Sequence, residues 1–176
     1  MVEIECPVSS LIFAEITRLQ CMHGCSHYKR NPMCPPFCKD TLWFKQLLKS
    51  YERVKILYEI IDFADNHDLA VKRNIFNSKL LEIEHDLKKK GKYFALCFIS
   101  GACTMCENKP CNLAECKRVH VGRTSICALG IDIMHICTEI LHLPLKNSLT
   151  FWKTNFSKDF FDDSSHRYLC LGLILY

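Results

Sequence analysis

The sequence predicts an α/β fold: a small mixed sheet with helices packed on it and cysteine-rich loops at one end. Three stretches carry that expectation. Residues Arg53–Ile61 (RVKILYEII) form a short apolar, β-branched run of strand character. From Asn66 to Lys90, Leu69, Phe76, Leu80, Ile83 and Leu87 recur at steps of seven, four, three and four, giving one apolar stripe along a helix. Lys92–Ser100 (KYFALCFIS) then reads as a second strand, and strand, helix, strand is the unit that makes parallel pairing through a right-handed crossover.

The helix has its own punctuation. Asp65 or Asn66 can cap its start, and Lys88, Lys89 and Lys90 close it before Gly91, where cations favour a helix C-terminus. This densest basic run therefore reads as a solvated helix end rather than a phosphate-binding patch. After the second strand the chain enters a cysteine-rich loop. Ser125–Leu143 predicts another helix, stopped by Pro144, and Tyr168–Tyr176 (YLCLGLILY) a closing strand buried on both faces. There are no repeats, low-complexity tracts or long Gly/Ser linkers, so residues 1–176 are expected to form one domain.

Hydrophobic residues make up 49% and charged residues 24% of the chain, which is globular composition rather than that of a disordered segment. Cysteine is the anomaly, with 13 residues. A secreted disulfide scaffold is usually shorter and enters behind a leader, whereas Met1–Cys6 carries Glu3 and Glu5, and the apolar stretch Leu11–Ile16 is broken by Glu15. No run reaches the roughly 18 apolar residues that cross a bilayer. A reducing, cytoplasmic location is expected, and there clustered cysteines read as metal ligands or catalytic thiols.

Eight of the 13 cysteines fall in two windows of 18 and 14 residues. The first holds Cys21, Cys25, Cys34 and Cys38 (CMHGCSHYKRNPMCPPFC), where Gly24, Asn31, Pro32, Pro35 and Pro36 bend the chain so that sulfurs converge. The second holds Cys103, Cys106, Cys111 and Cys116, between Gly101 at a strand end and a loop interrupted by Pro110. Structural zinc usually takes two CxxC knuckles, and only Cys103 and Cys106 make such a pair. Iron–sulfur clusters accept closely spaced cysteines along one loop, so [4Fe–4S] clusters, one per window, rank ahead of zinc. Cys97, Cys170 and Cys137 fall within predicted elements and read as small apolar fillers. Cys6 is unassigned, and Cys127 is near enough in sequence to the second window to be an alternative ligand there.

Cys21, Cys25, Tyr28 and Cys34-Pro35-Pro36 are followed downstream by Gly101, Cys103, Cys106, Cys111 and Cys116, then Gly130-Ile131-Asp132 and Leu171-Gly172-Leu173-Ile174. In this order and spacing the chain resembles the predicted metal-binding proteins of domain-of-unknown-function family 2284. The resemblance implies metal binding through these cysteines. Two positions depart from the family's pattern: Cys38 stands where relatives often carry Pro or Ser, and Lys117-Arg118-Val119 where a Pro commonly follows the last cysteine. A three-cysteine first site with an open iron position is thus an alternative to a closed four-cysteine site.

His23 and His27 flank Cys25 and His120 follows Cys116; such histidines more often support a ligand or lie exposed than bind metal. Asp132 reads as a helix-surface carboxylate. No GxGxxG, GxxxxGK[ST], GxSxG or HExxH motif is present, so nucleotide binding and hydrolase chemistry lack their signs. The net charge of +4 is mild, and two clusters of charge about −2 each would cancel it. The leading expectation is an electron carrier or redox accessory protein with a protein redox partner and neither membrane nor nucleic acid. The alternatives are a cluster-dependent enzyme or a metal- or sulfur-delivery protein with an open iron site and, more weakly, a structural zinc-binding interaction module.

Overall fold

The computed structural model describes residues 1–106, 111, 116–143 and 167–176. Strand β1 (Val2–Pro7) leads through a 3-10 turn into helices α1 (Glu15–Met22) and α2 (Thr41–Leu48). These precede strand β2 (Arg53–Asp62), helix α3 (Asn66–Lys89), strand β3 (Leu96–Phe98), the short helix α4 (Ile133–His135) and strand β4 (Arg167–Leu175). The sheet order is β1-β2-β4-β3, and every pairing in it is antiparallel.

The α/β class is as expected, but the sheet is antiparallel rather than mixed. Because β2 and β3 each run antiparallel to β4, they point the same way, as a strand–helix–strand unit requires. They do not pair, however, since β4 lies between them. Burial explains the insertion: Cys170–Leu175 are all buried, so the most continuously apolar strand takes a place with a partner on each side. The sheet edge at β1 escaped the sequence reading. Its Glu3 and Glu5 are the exposed positions of an alternating strand, ion-paired across the ladder with Lys55 and Arg53.

Adjacent residues of β2 and β4 serve opposite faces. Ile56 and Leu173 join Phe44, Phe98, Leu129 and Ile136 in one core, while Leu57 and Ile174 join Phe76 and Leu80 beneath α3. Helix α3 lies close on β4 because residue 172 is Gly; a Cβ there would run into Leu80. Asp65 caps α3 by accepting from the Asp68 amide at 2.8 Å, and at its end Lys88 pairs with Glu84 and Lys89 with Asp86. Cys97, Cys137 and Cys170 are fully buried in the two cores, as fillers should be.

Two predicted elements come out shorter. Within Lys92–Ser100 only Leu96–Phe98 is strand, because residues 92–95 close a turn that leaves Tyr93 and Phe94 at 75% and 85% exposure. The single helix expected over Ser125–Leu143 is broken at Gly130, whose φ of 78° ends a 3-10 turn (Cys127–Leu129). Ile131 then bridges to Phe13, and Asp132 caps α4, which runs on as a π-turn over Ile136–Ile140. Asp132 is thus a helix cap, accepting from the His135 amide at 3.0 Å. The stop expected at Pro144 lies outside the described residues.

Candidate metal centre

The first cysteine window begins on α1 and continues as a chain of tight turns. Cys21 is buried at the end of α1, and residues 25–38 are held by short-range amide bonds: Tyr28 to the Cys25 carbonyl, Cys34 to that of Asn31, and Cys38 to that of Cys34, all 3.0–3.1 Å. Lys29 takes a positive φ of 59° and donates to the Pro35 carbonyl at 3.1 Å, closing the loop on itself. The four thiols gathered this way share one electrostatic environment. Burial first, then the neighbouring Cys25 and Cys38, push the Cys21 thiol up to about 11. Burial, then Cys25, Cys38 and Cys21, push Cys34 up to about 12. Cys38 is also raised by burial, but Arg18 opposes the rise, its Nη1 lying 3.8 Å from the sulfur.

The second window is held from outside. Asn77 of α3 donates to the Ser100 carbonyl at 3.1 Å and accepts from the Ser100 amide at 3.0 Å, and the Thr104 hydroxyl donates to Asn74. Past the loop, Arg123 reaches Glu84 of α3 through Nη2 at 2.8 Å and Nε at 3.1 Å. The Cys97 amide and Lys88 also donate to Glu84, so although burial would raise this carboxyl, its partners hold it down at about 2. Cys103 is buried at the loop's start. Cys111 is raised by burial and then by Cys106, Cys103 and Cys116, so these four thiols also share one neighbourhood.

The two windows adjoin. Buried Asn31, whose side chain accepts from the Met33 amide at 2.8 Å, donates from Nδ2 to the Cys103 carbonyl at 2.7 Å. Cys103 is among the thiols that raise Cys34. A Cβ at Gly122 would stand 3.0 Å from both the Cys116 sulfur and the Met33 methyl, so loop meets loop on this side too. Among the described residues no three thiols, imidazoles or carboxylates are already closed around the position of a single ion. A family description of predicted metal-binding proteins, domain of unknown function 2284, matches residues 5–154, which include both windows.

The chain belongs to this family. Neither curated proteins nor solved structures give a match. For a family-2284 protein the donors fit the expected group: two sets of soft thiol ligands, each on one loop, suit iron–sulfur clusters or zinc and not a hard cation that takes oxygen. Of the flanking histidines, His23 and His120 are exposed, while His27 is half-buried and lowered by burial and by Arg73 and Arg30.

Cys127 is placed differently from the sequence expectation. Its thiol is pushed up to about 12 by burial, then by Cys21 and Cys25, so it neighbours the first window rather than the second. The bridge between Ile99 and Ser125 brings it there, and nothing in the local sequence signals that crossing. Together with Cys21, Cys25 and Cys34 it lines a cavity of about 670 Å³, to which Cys38 does not contribute. Cys6 sits apart, half-buried on β1 and raised by burial.

Proposed function

We propose that this family-2284 protein binds two [4Fe–4S] clusters and carries electrons to a protein redox partner in the cytoplasm, with no membrane or nucleic acid involved. Cys21, Cys25, Cys34 and Cys38 would hold one cluster, and Cys103, Cys106, Cys111 and Cys116 the other. The observation that carries this reading is the contact between the windows, in which Asn31 joins the backbone at Cys103 and Cys34 lies within the electrostatic reach of Cys103. Two thiol sets side by side are what a two-centre carrier needs. When bound, such clusters supply one-electron redox couples.

The protein's own residues set the surroundings. The Arg18 guanidinium stands beside Cys38, where it offsets thiolate charge. Among the described residues no helix is long and apolar enough to cross a membrane. A second reading is favoured by the cavity. With Cys21, Cys25 and Cys34 on its wall and Cys38 off it, an iron at that site could stay open to a substrate, as a cluster-dependent enzyme or a metal- or sulfur-delivery protein requires.

Anaerobic purification followed by iron, zinc and acid-labile sulfide analysis tests the proposal. Brown protein with iron and sulfide in both sites is expected, with visible absorption that bleaches under dithionite. Colourless protein with stoichiometric zinc and no sulfide would establish the zinc module instead.

A further inference from the structure

The cavity beside the first cysteine window also contains a cation. Arg73, on the sheet-facing side of α3, lines it, and its Nε is sealed from solvent with no hydrogen-bond partner among the described residues. The other charged groups on the wall are engaged: Arg167 donates to Asp62 at 2.9 Å, and Asp65 caps α3. Among the described residues Arg73 forms no ion pair. Its position is built rather than incidental, because Gly101, at φ 67°, lies under the side chain, and a Cβ there would come within 3.0–3.3 Å of the guanidinium end.

Much of the remaining wall is apolar or aromatic, including Phe63, Leu69, Ile133 and Leu169. The volume of about 670 Å³, part of which a metal centre on Cys21, Cys25 and Cys34 would fill, lies within the range of roughly 300–1,000 Å³ typical of small-molecule sites. We infer that this cavity binds a small organic carboxylate, its charge held by the Arg73 fork and its apolar body by the wall, at the end of the chamber away from the cysteines proposed to hold metal. A guanidinium matches a carboxylate by two parallel N–H bonds. A phosphate dianion would ask for further cations, and the described wall offers no second unpaired one. The inference concerns Arg73 and the cavity and does not depend on which metal the cysteines hold.

The test uses the metal-loaded protein, with iron and zinc content measured on the same sample. Acetate, butyrate, benzoate and phenylacetate are titrated beside their neutral amides and followed by calorimetry and ligand-observed magnetic resonance. At least one of the larger carboxylates is expected to bind at least tenfold more tightly than its amide. Arg73→Gln should abolish that preference, while Arg73→Lys retains part of it. If no carboxylate is preferred over its amide, the inference fails, and that comparison needs no variant to fold. Equal carboxylate binding by folded Arg73→Gln, verified by circular dichroism, would also overturn it. Neither failure bears on the metal reading, which the metal and sulfide content decides.

Discussion

The two cysteine loops present four thiols each but are shaped by different means. Residues 25–38 make their own structure: successive amides bond to carbonyls three or four residues back, and prolines and one left-handed lysine bend what remains. The second loop is shaped by α3, through Asn74 on Thr104, Asn77 on Ser100 and Glu84 on Arg123. Among the described residues, one loop is held by bonds within itself and the other by a helix whose relevant side chains lie 23 to 39 positions away. The difference teaches where each is vulnerable: the first to changes within it, the second to changes in a helix that carries none of the proposed ligands.

The largest effect should come from emptying a site. At saturating metal, Cys34→Ser is expected to remove the first metal centre and spare the second, and Cys111→Ser to do the reverse, with a loss of stability in each case because metal binding is partly folding free energy. Metal content and thermal unfolding report both. Loss of both centres in either variant would break the distinction between the loops.

Glu84 tests the outside support. Its carboxyl is held down at about 2 against an ordinary 4.5, so the unfolded chain takes up its proton first as pH falls. The stabilisation is complete above 4.5 and is lost as pH falls through about 2. Glu84→Gln should therefore cost roughly 3 kcal/mol near neutrality and flatten acid unfolding in that window. Denaturant titrations across the acid range would show it. The same substitution should lower occupancy of the second centre before the first.

Cys38 and Cys127 sharpen the picture of the first loop. Cys38→Ser is expected to weaken or convert the first centre and leave the second intact, and Cys127→Ser to leave the metal content unchanged, by iron analysis and paramagnetic resonance. The opposite pattern would make Cys127 the fourth ligand. The smallest effect belongs to the fillers. Cys97→Ala, Cys137→Ala or Cys170→Ala should each cost about 1 kcal/mol with metal retained, since each removes one small buried group.

What was legible in the sequence follows the same division. Turn formers between Cys21 and Cys38 mark the tight turns of this segment because their causes are local, and α3 is legible to within a residue because its stripe and caps are local too. The strand order is not. Nothing between residues 53 and 100 shows that a strand from the far end of the chain will part β2 from β3; only burial across the whole sheet decides it. Cys127 was misplaced for a related reason, since its approach to Cys21 depends on a long-range bridge at Ile99. Arg73 gave no sequence signal, because a helix-borne arginine ordinarily faces water and its position here is set by Gly101 beneath it.

Asn31 is a joint between loops that share no ligand. If both loops take metal as proposed, metal in the first would fix the turn around Asn31, whose amide holds the chain at Cys103, so the second loop would search fewer conformations when its own metal arrives. Occupancy is then expected to be cooperative, with half-filled molecules under-represented at limiting metal. Native mass spectrometry during reconstitution would display that deficit, and Asn31→Ala should restore the distribution of two independent sites.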